Sequence, residues 1–181
     1  WGLLQRRWDA APRRMVAPLV AATLTVVSGW GAWRMVDIVN PTTILADQRD
    51  MMAMAWIDEQ TEPGAVFLVN ARFWQPGLYV GSDAGWWIPY LANRQATQPP
   101  ILYYHGSPAY RESIAELAEQ QTRLREDPEA MTAWIRSLGV THVYVGSRGG
   151  ALEPRLLDAL DSLEAVYSQG PVRVYQVDAG S

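Results

Sequence analysis

The side chains best suited to chemistry gather in one short stretch, GSDAGWWIPYLANR, at residues 81–94. It holds a carboxylate (Asp83), two adjacent indoles (Trp86, Trp87), a phenol (Tyr90) and a guanidinium (Arg94). Aromatic faces beside a few placed polar groups are the means by which a protein holds a polar ring such as a sugar. The same residues have a plainer use. Asp83 can cap a short helix beginning near Ala84 by accepting from its free amides, and tryptophans are well buried on average. The stretch therefore reads either as a binding pocket or as cap and core.

Asn70, Arg72 and Trp74 follow the first strongly apolar run and are expected to face the same crevice as residues 81–94. On that expectation Arg72, Asp83, Trp86, Trp87 and Arg94 form one polar-aromatic substrate pocket. His105 follows two tyrosines at the end of a candidate strand, where α/β proteins often place ligand contacts, and is a further binding candidate. His142 lies inside another candidate strand and reads as structural, since no ligand cluster accompanies it. The loop GSRGG at 146–150 stands between a strand and a helix, the setting of a phosphate cradle. It has neither GxGxxG nor GxxxxGK[ST] spacing, so a plain turn is the better reading; Arg148 within it can still offer an anion a bidentate contact. No catalytic set is complete, no metal-ligand spacing is present, and no cofactor is expected.

The elements that position these residues follow from composition and periodicity. With 181 residues, 49% of them hydrophobic and 19% charged, the chain holds one ordinary domain and an appendage. There are no cysteines, which excludes disulfides and thiolate chemistry. Charge is uneven: residues 1–14 carry four arginines against Asp9, whereas the part from Asp47 onward carries ten arginines against seventeen acids. An acidic body excludes a nucleic-acid partner, which requires a basic face. The chain starts at Trp1 rather than methionine, which reads as a piece of a longer protein.

Residues 15–33 contain no charged side chain, and such a run approaches the ~20 residues that cross a ~30 Å hydrocarbon core as a helix. Trp30 and Trp33 sit where indoles favour the headgroup layer. The arginines lie before the run, so residues 1–14 are expected in the cytoplasm and residues 47–181 outside it. The expected organisation is a basic segment at 1–14, a transmembrane helix at 15–36, a linker at 37–46 turning at Asn40-Pro41, and an exported domain at 47–181. A cleaved signal peptide and a buried core helix are the competing readings of the apolar run.

Within 47–181 the pattern alternates. A helix is expected over 47–60 with Met51, Met54, Ala55, Trp56 and Ile57 as its apolar face. A central strand is expected at 65–70 (AVFLVN), a short one at 78–80, and others at 101–105 (ILYYH) and 141–145 (THVYV). Ser107-Pro108 and Asp127-Pro128 open two helices, with stripes at Ile114, Leu117, Gln121, Leu124 and at Met131, Trp134, Ile135, Leu138. Gly139 suits the position just past the second. Pro154 opens a last helix with Leu156, Leu157, Leu160 and Leu163 inward, and the chain closes in a hairpin or edge pair turning at Gly170-Pro171. This predicts an α/β layered domain with a mostly parallel sheet flanked by helices, preceded by one membrane helix.

A last membrane helix, AWIDEQTEPGAVFLVN, VGSDAGWWIPYLANR, LGVTHVYVG and a closing VYSQGPVRVYQV together resemble the C-terminal exported domain of bacterial GT-C-type polytopic membrane glycosyltransferases. The resemblance covers most of residues 15–181 and is one of layout and local phrasing. It implies a parent protein of the cell envelope that moves sugar from a polyprenyl-phosphate carrier to an acceptor outside the cytoplasm. It also implies that the catalytic acids lie in an N-terminal membrane domain missing here, leaving this part to assist with donor or glycan acceptor. Two alternatives stay open: a single-span anchored module that binds a saccharide or other polar ligand, and a soluble α/β enzyme with 15–33 in its core.

Overall fold

The structure is a computed structural model describing residues 2–35 and 43–178, with side chains from Val16 onward. The expected Asn40-Pro41 turn and most of the 37–46 linker lie outside the described residues. Two compact units divide near Thr43. The first is one helix, α1 (Gly2–Met35). Its stretch Val16–Met35 is long and apolar enough to cross a membrane, and none of it is buried. The Thr23 and Thr25 hydroxyls donate to the Leu19 and Ala21 carbonyls at 2.9 Å, so these polar groups are satisfied within the helix, as a lipid environment demands.

The second unit is built on a five-stranded sheet of order β4-β1-β5-β7-β6. Its strands are β1 (Val66–Val69), β4 (Gln95–Ala96), β5 (His142–Val145), β6 (Leu163–Gln169) and β7 (Val172–Val177). β1 pairs in parallel with β4 and with β5, whereas β7 pairs antiparallel with β5 and with β6. The sheet is therefore mixed rather than mostly parallel. The reason is local: the chain turns tightly at Gly170, which holds φ 59°, and a tight turn can only bring β7 back antiparallel to β6. β7 then fills the slot beside β5. A separate antiparallel hairpin joins β2 (Ala71–Gln75) to β3 (Leu78–Gly81).

Both faces of the sheet are covered, as the unbroken apolar run at β1 requires. On one face Phe67, Val69, Tyr144 and Val174 pack with Ala53, Met54 and Ile57 of α2 (Gln48–Gln60) and with Ile88 of the short helix α3 (Ile88–Leu91). On the other, Leu68, Val143 and Tyr175 pack with Met131 and Ile135 of α5 (Pro128–Ser137) and Leu157 of α6 (Pro154–Leu157). A third cluster places Leu78 and Val80 of β3 against Tyr103 and against Ile114 of α4 (Pro108–Arg123).

Three local expectations are corrected. The apolar face of α2 is headed by buried Asp50, with Ala53, Met54 and Ile57, while Met51, Met52 and Ala55 are exposed. A polar residue leads that stripe because its carboxylate is fully hydrogen-bonded inside. Residues Ile101–His105 form a turn of 3-10 helix rather than a strand; Pro100 precedes it and only Tyr103 is buried, so the run anchors by one side chain instead of covering a sheet face. The last helix is a single turn ending at Leu157, and Leu163 begins β6.

Arg94 fastens the end of α2. Its guanidinium donates to the carbonyls of Asp58 (2.9 Å), Thr61 (2.7 Å) and Ala92 (2.9 Å), and its Nε to the Thr61 hydroxyl at 3.1 Å. The last carbonyls of a helix have no partner in the helix itself, so one buried cation closes several open acceptors. Replacement Arg94→Ala should lower stability by about 2–4 kcal/mol, as loss of a buried hydrogen-bonded charge does. Urea unfolding followed by tryptophan fluorescence measures it, and a loss within error of zero would remove Arg94 from the structural role.

Candidate functional site

β1 and β5 run parallel side by side, and their C-terminal ends carry Asn70 and Gly146. In open α/β sheets this end is where ligands settle. Here the position is occupied by the chain's own carboxylates. Asp83 is fully buried and accepts from the Gly146 amide at 2.8 Å, the Gly85 amide at 3.0 Å and the Asn70 side-chain amide at 3.1 Å. Asp50, also fully buried, accepts from the Tyr144 hydroxyl at 2.7 Å, the Ser147 amide at 2.9 Å and the Asp47 amide at 2.8 Å. The successive amides of Gly146 and Ser147 thus hold one carboxylate each.

The loop 146–150 therefore has the donors of an anion cradle, filled from within. Gly146 lies between the two acids: a Cβ there would stand 2.9 Å from Asp50 Oδ1 and 3.0 Å from the Asp83 Cβ. Gly85 allows a comparable approach, since a Cβ there would meet Val69 and Tyr144 within 2.9 Å. Asn70 completes the assembly by accepting from the Leu152 amide at 2.8 Å and donating to the Leu152 carbonyl at 3.2 Å. These bonds fix its amide orientation, because a backbone N–H can face only the side-chain oxygen.

Burial, with the Asp50 charge adding to it, pushes Asp83 up to about 6 against the pull of its three donors. At neutral pH it is still mainly ionised. Burial and the same two carboxylates push the Tyr144 phenol far above its ordinary value, so it remains a donor to Asp50. With every partner a donor, Asp83 serves as a fixed acceptor at neutral pH rather than as a proton shuttle.

Of the six candidate site residues only Asp83 belongs to this environment. Asp83 caps the 3-10 turn Ala84–Trp87 and is sealed in the core. Arg94 is committed to the end of α2. Trp86 packs against the β3 cluster and donates its indole N–H to the Pro99 carbonyl at 2.9 Å. Trp87 is exposed, its ring edge-on to Tyr90 at 6.5 Å. His105 is exposed beside Tyr104 at the end of its 3-10 turn. Arg72 lies on β2, its guanidinium 4.9 Å from the Trp74 ring, and lines a cleft between the hairpin and α4. His142 stacks on Phe67 at 4.8 Å, and burial lowers its basicity.

Sequence reading missed Asp50, and it placed Tyr144 in a strand and Gln121 on the α4 stripe without their hydrogen-bonding roles. The first had a visible signal, because Asp47 and Asp50 stand three apart at a helix start and form a reciprocal capping box. Gln121 bridges the strands at the crossing from β1 to β2: it donates to the Val69 carbonyl at 2.9 Å and accepts from the Ala71 amide at 3.1 Å. Among the described residues no group of three or more His, Cys, Asp or Glu could hold a metal. No family model, no curated protein and no solved structure matches this chain.

The raised value at Asp83 has a signed consequence. Because the folded state holds this proton more tightly than the unfolded chain, the contribution of Asp83 to stability should fall as pH rises from 3.8 to about 6 and level off above. Asp83→Asn turns an amide donor toward another donor and should cost about 1–3 kcal/mol at neutral pH. The stability gap between wild type and this variant should widen on acidification through that window. Denaturation at stepped pH measures it, and a gap that narrows would mean the three donors outweigh burial.

Proposed function

We propose that this chain is the last spanning helix and the exported domain of a membrane glycosyltransferase that draws sugar from a lipid-phosphate carrier. In this reading the domain is non-catalytic and helps to hold donor or acceptor, or to shape the enzyme around them. The observation that carries it is the Val16–Met35 helix, apolar over a membrane-crossing length and with none of that stretch buried. The arginines at 6, 7, 13 and 14 precede that stretch, which on this reading retains its N-terminal side in the cytoplasm and sends residues 47–181 outward. The state of the buried acids agrees with a non-catalytic role, since Asp50 and Asp83 are both committed to backbone amides. The quoted sequence resemblance supplies the reaction class.

A second reading, a single-span anchored module that binds saccharide without transferring it, is favoured by one observation: the hairpin–α4 cleft and its aromatic wall are complete within this chain. Removing the domain from its parent separates the two. Loss of sugar transfer from polyprenyl-phosphate donor supports the transferase reading, and intact transfer supports the module.

The absence of cysteine makes sidedness directly measurable. A membrane-impermeant maleimide should label Ser168→Cys, on the exposed side of β6, in intact cells. Gln5→Cys should label only after the membrane is opened. The reverse pattern would overturn the orientation and the sugar-transfer reading that needs it.

A further inference from the structure

The hairpin β2–β3 and helix α4 enclose a cleft of about 480 Å³ lined by Ala71, Arg72, Phe73, Tyr79 and, from α4, Ala118, Glu119, Thr122 and Arg123. That volume lies within the roughly 300–1,000 Å³ of small-molecule sites. Ala71 and Ala118 are buried, and their small side chains leave the space open. Phe73 and Tyr79 are cross-strand partners whose rings meet edge-on at 5.8 Å, and Phe73 is 56% exposed. This is an aromatic corner facing a polar helix.

The polar side has one unbalanced charge. Glu119 accepts from the Tyr79 hydroxyl at 2.9 Å and lies 3.8 Å from Arg123, so that pair is internally compensated. Burial and the Glu119 bond raise the Tyr79 phenol, which keeps it a donor. Arg72 has no hydrogen-bond or ion-pair partner among the described residues, and its Nε is buried without an acceptor. Its guanidinium is held against the Trp74 ring. A buried donor left unmade is costly, and a guanidinium fork is shaped for the two oxygens of a carboxylate or phosphate.

We infer that this cleft binds an anionic saccharide, a sugar ring carrying a carboxylate or a phosphate. The acid group sits on Arg72, the C–H face of the ring lies against Phe73 and Tyr79, and ring hydroxyls reach Glu119 and Thr122. The inference rests on the saccharide-holding role proposed above and names its site and ligand class. The aromatic wall explains why the ligand is a ring, and the unpaired guanidinium explains why it is charged.

Calorimetric titration of the full chain in lipid nanodiscs tests this with glucuronate, a glucose phosphate ester, neutral glucose and inorganic phosphate. At least one of the two charged sugars should bind saturably, and which of them does so distinguishes a carboxylate from a phosphate ligand. Neutral glucose and inorganic phosphate should each bind about tenfold more weakly, because each lacks half of the recognition. Arg72→Gln should weaken the charged sugar by about tenfold or more, with Arg72→Lys in between because it keeps the charge and loses the fork. Equal binding of neutral and charged sugars, equal binding of bare phosphate, an unchanged Arg72→Gln variant, or no binding by wild type would each overturn it. Maleimide labelling is independent of these titrations. Failure here with the expected sidedness removes only the cleft, and binding with reversed sidedness removes only the exported-domain reading.

Discussion

Two carboxylates buried beside one another at the end of a sheet, without a buried cation between them, are the constraint on which the rest of this domain depends. An ionised group in the interior is tolerated only when its lone pairs are met, and here six donors meet them. Those donors come from distant parts of the chain: the start of α2, the residue after β1, the turn at 84–87, and β5 with the loop after it. Satisfying Asp50 and Asp83 therefore joins four segments at one point. The glycines at 85 and 146 belong to the same arrangement, since a side chain at either would push the segments apart.

This explains why the end of a parallel pair, so often a ligand crevice, is closed in this fold. The amides of Gly146 and Ser147 point as they would toward a bound anion, and the chain supplies the anion itself. The open cleft lies in a different place, at the outer hairpin. There the register sets Phe73 opposite Tyr79, and the Gln121 bridge continues the strand pairing across the residue where β1 gives way to β2. The cleft is thus tied rigidly to the sheet although it lies off it, and its walls are placed by main-chain bonds rather than by loop packing.

The apolar helix and the folded body differ in what they bury. Val16–Met35 buries nothing in protein, so its apolar surface is worth most in hydrocarbon. The body covers its own sheet on both sides and presents an acidic surface. That partition is what makes an anchored saccharide-holding domain a coherent reading of one chain.

The sequence by itself determined the features that depend on near neighbours. Apolar character marked the second half of α1 but not its charged first half, the proline starts marked α4 and α5, the Gly139 stop held with φ 65°, and the Gly170 turn closed a hairpin. Asp83 was legible as a cap for the same reason, its Gly85 partner being two residues away. Tertiary structure alone decided what depended on distant partners. Arg94 stands near the aromatic stretch in sequence, yet its acceptors are carbonyls at 58, 61 and 92, and no local pattern encodes the first two. Residues 101–105 have strand composition but pair with no strand, and the slot beside β5 went to β7. Asp50 reads as a surface helix residue until Tyr144 and Ser147 arrive from across the sheet. Periodicity reports which residues share a face; only the folded chain supplies the partner that makes a buried charge, an open strand or a lone guanidinium stable or not.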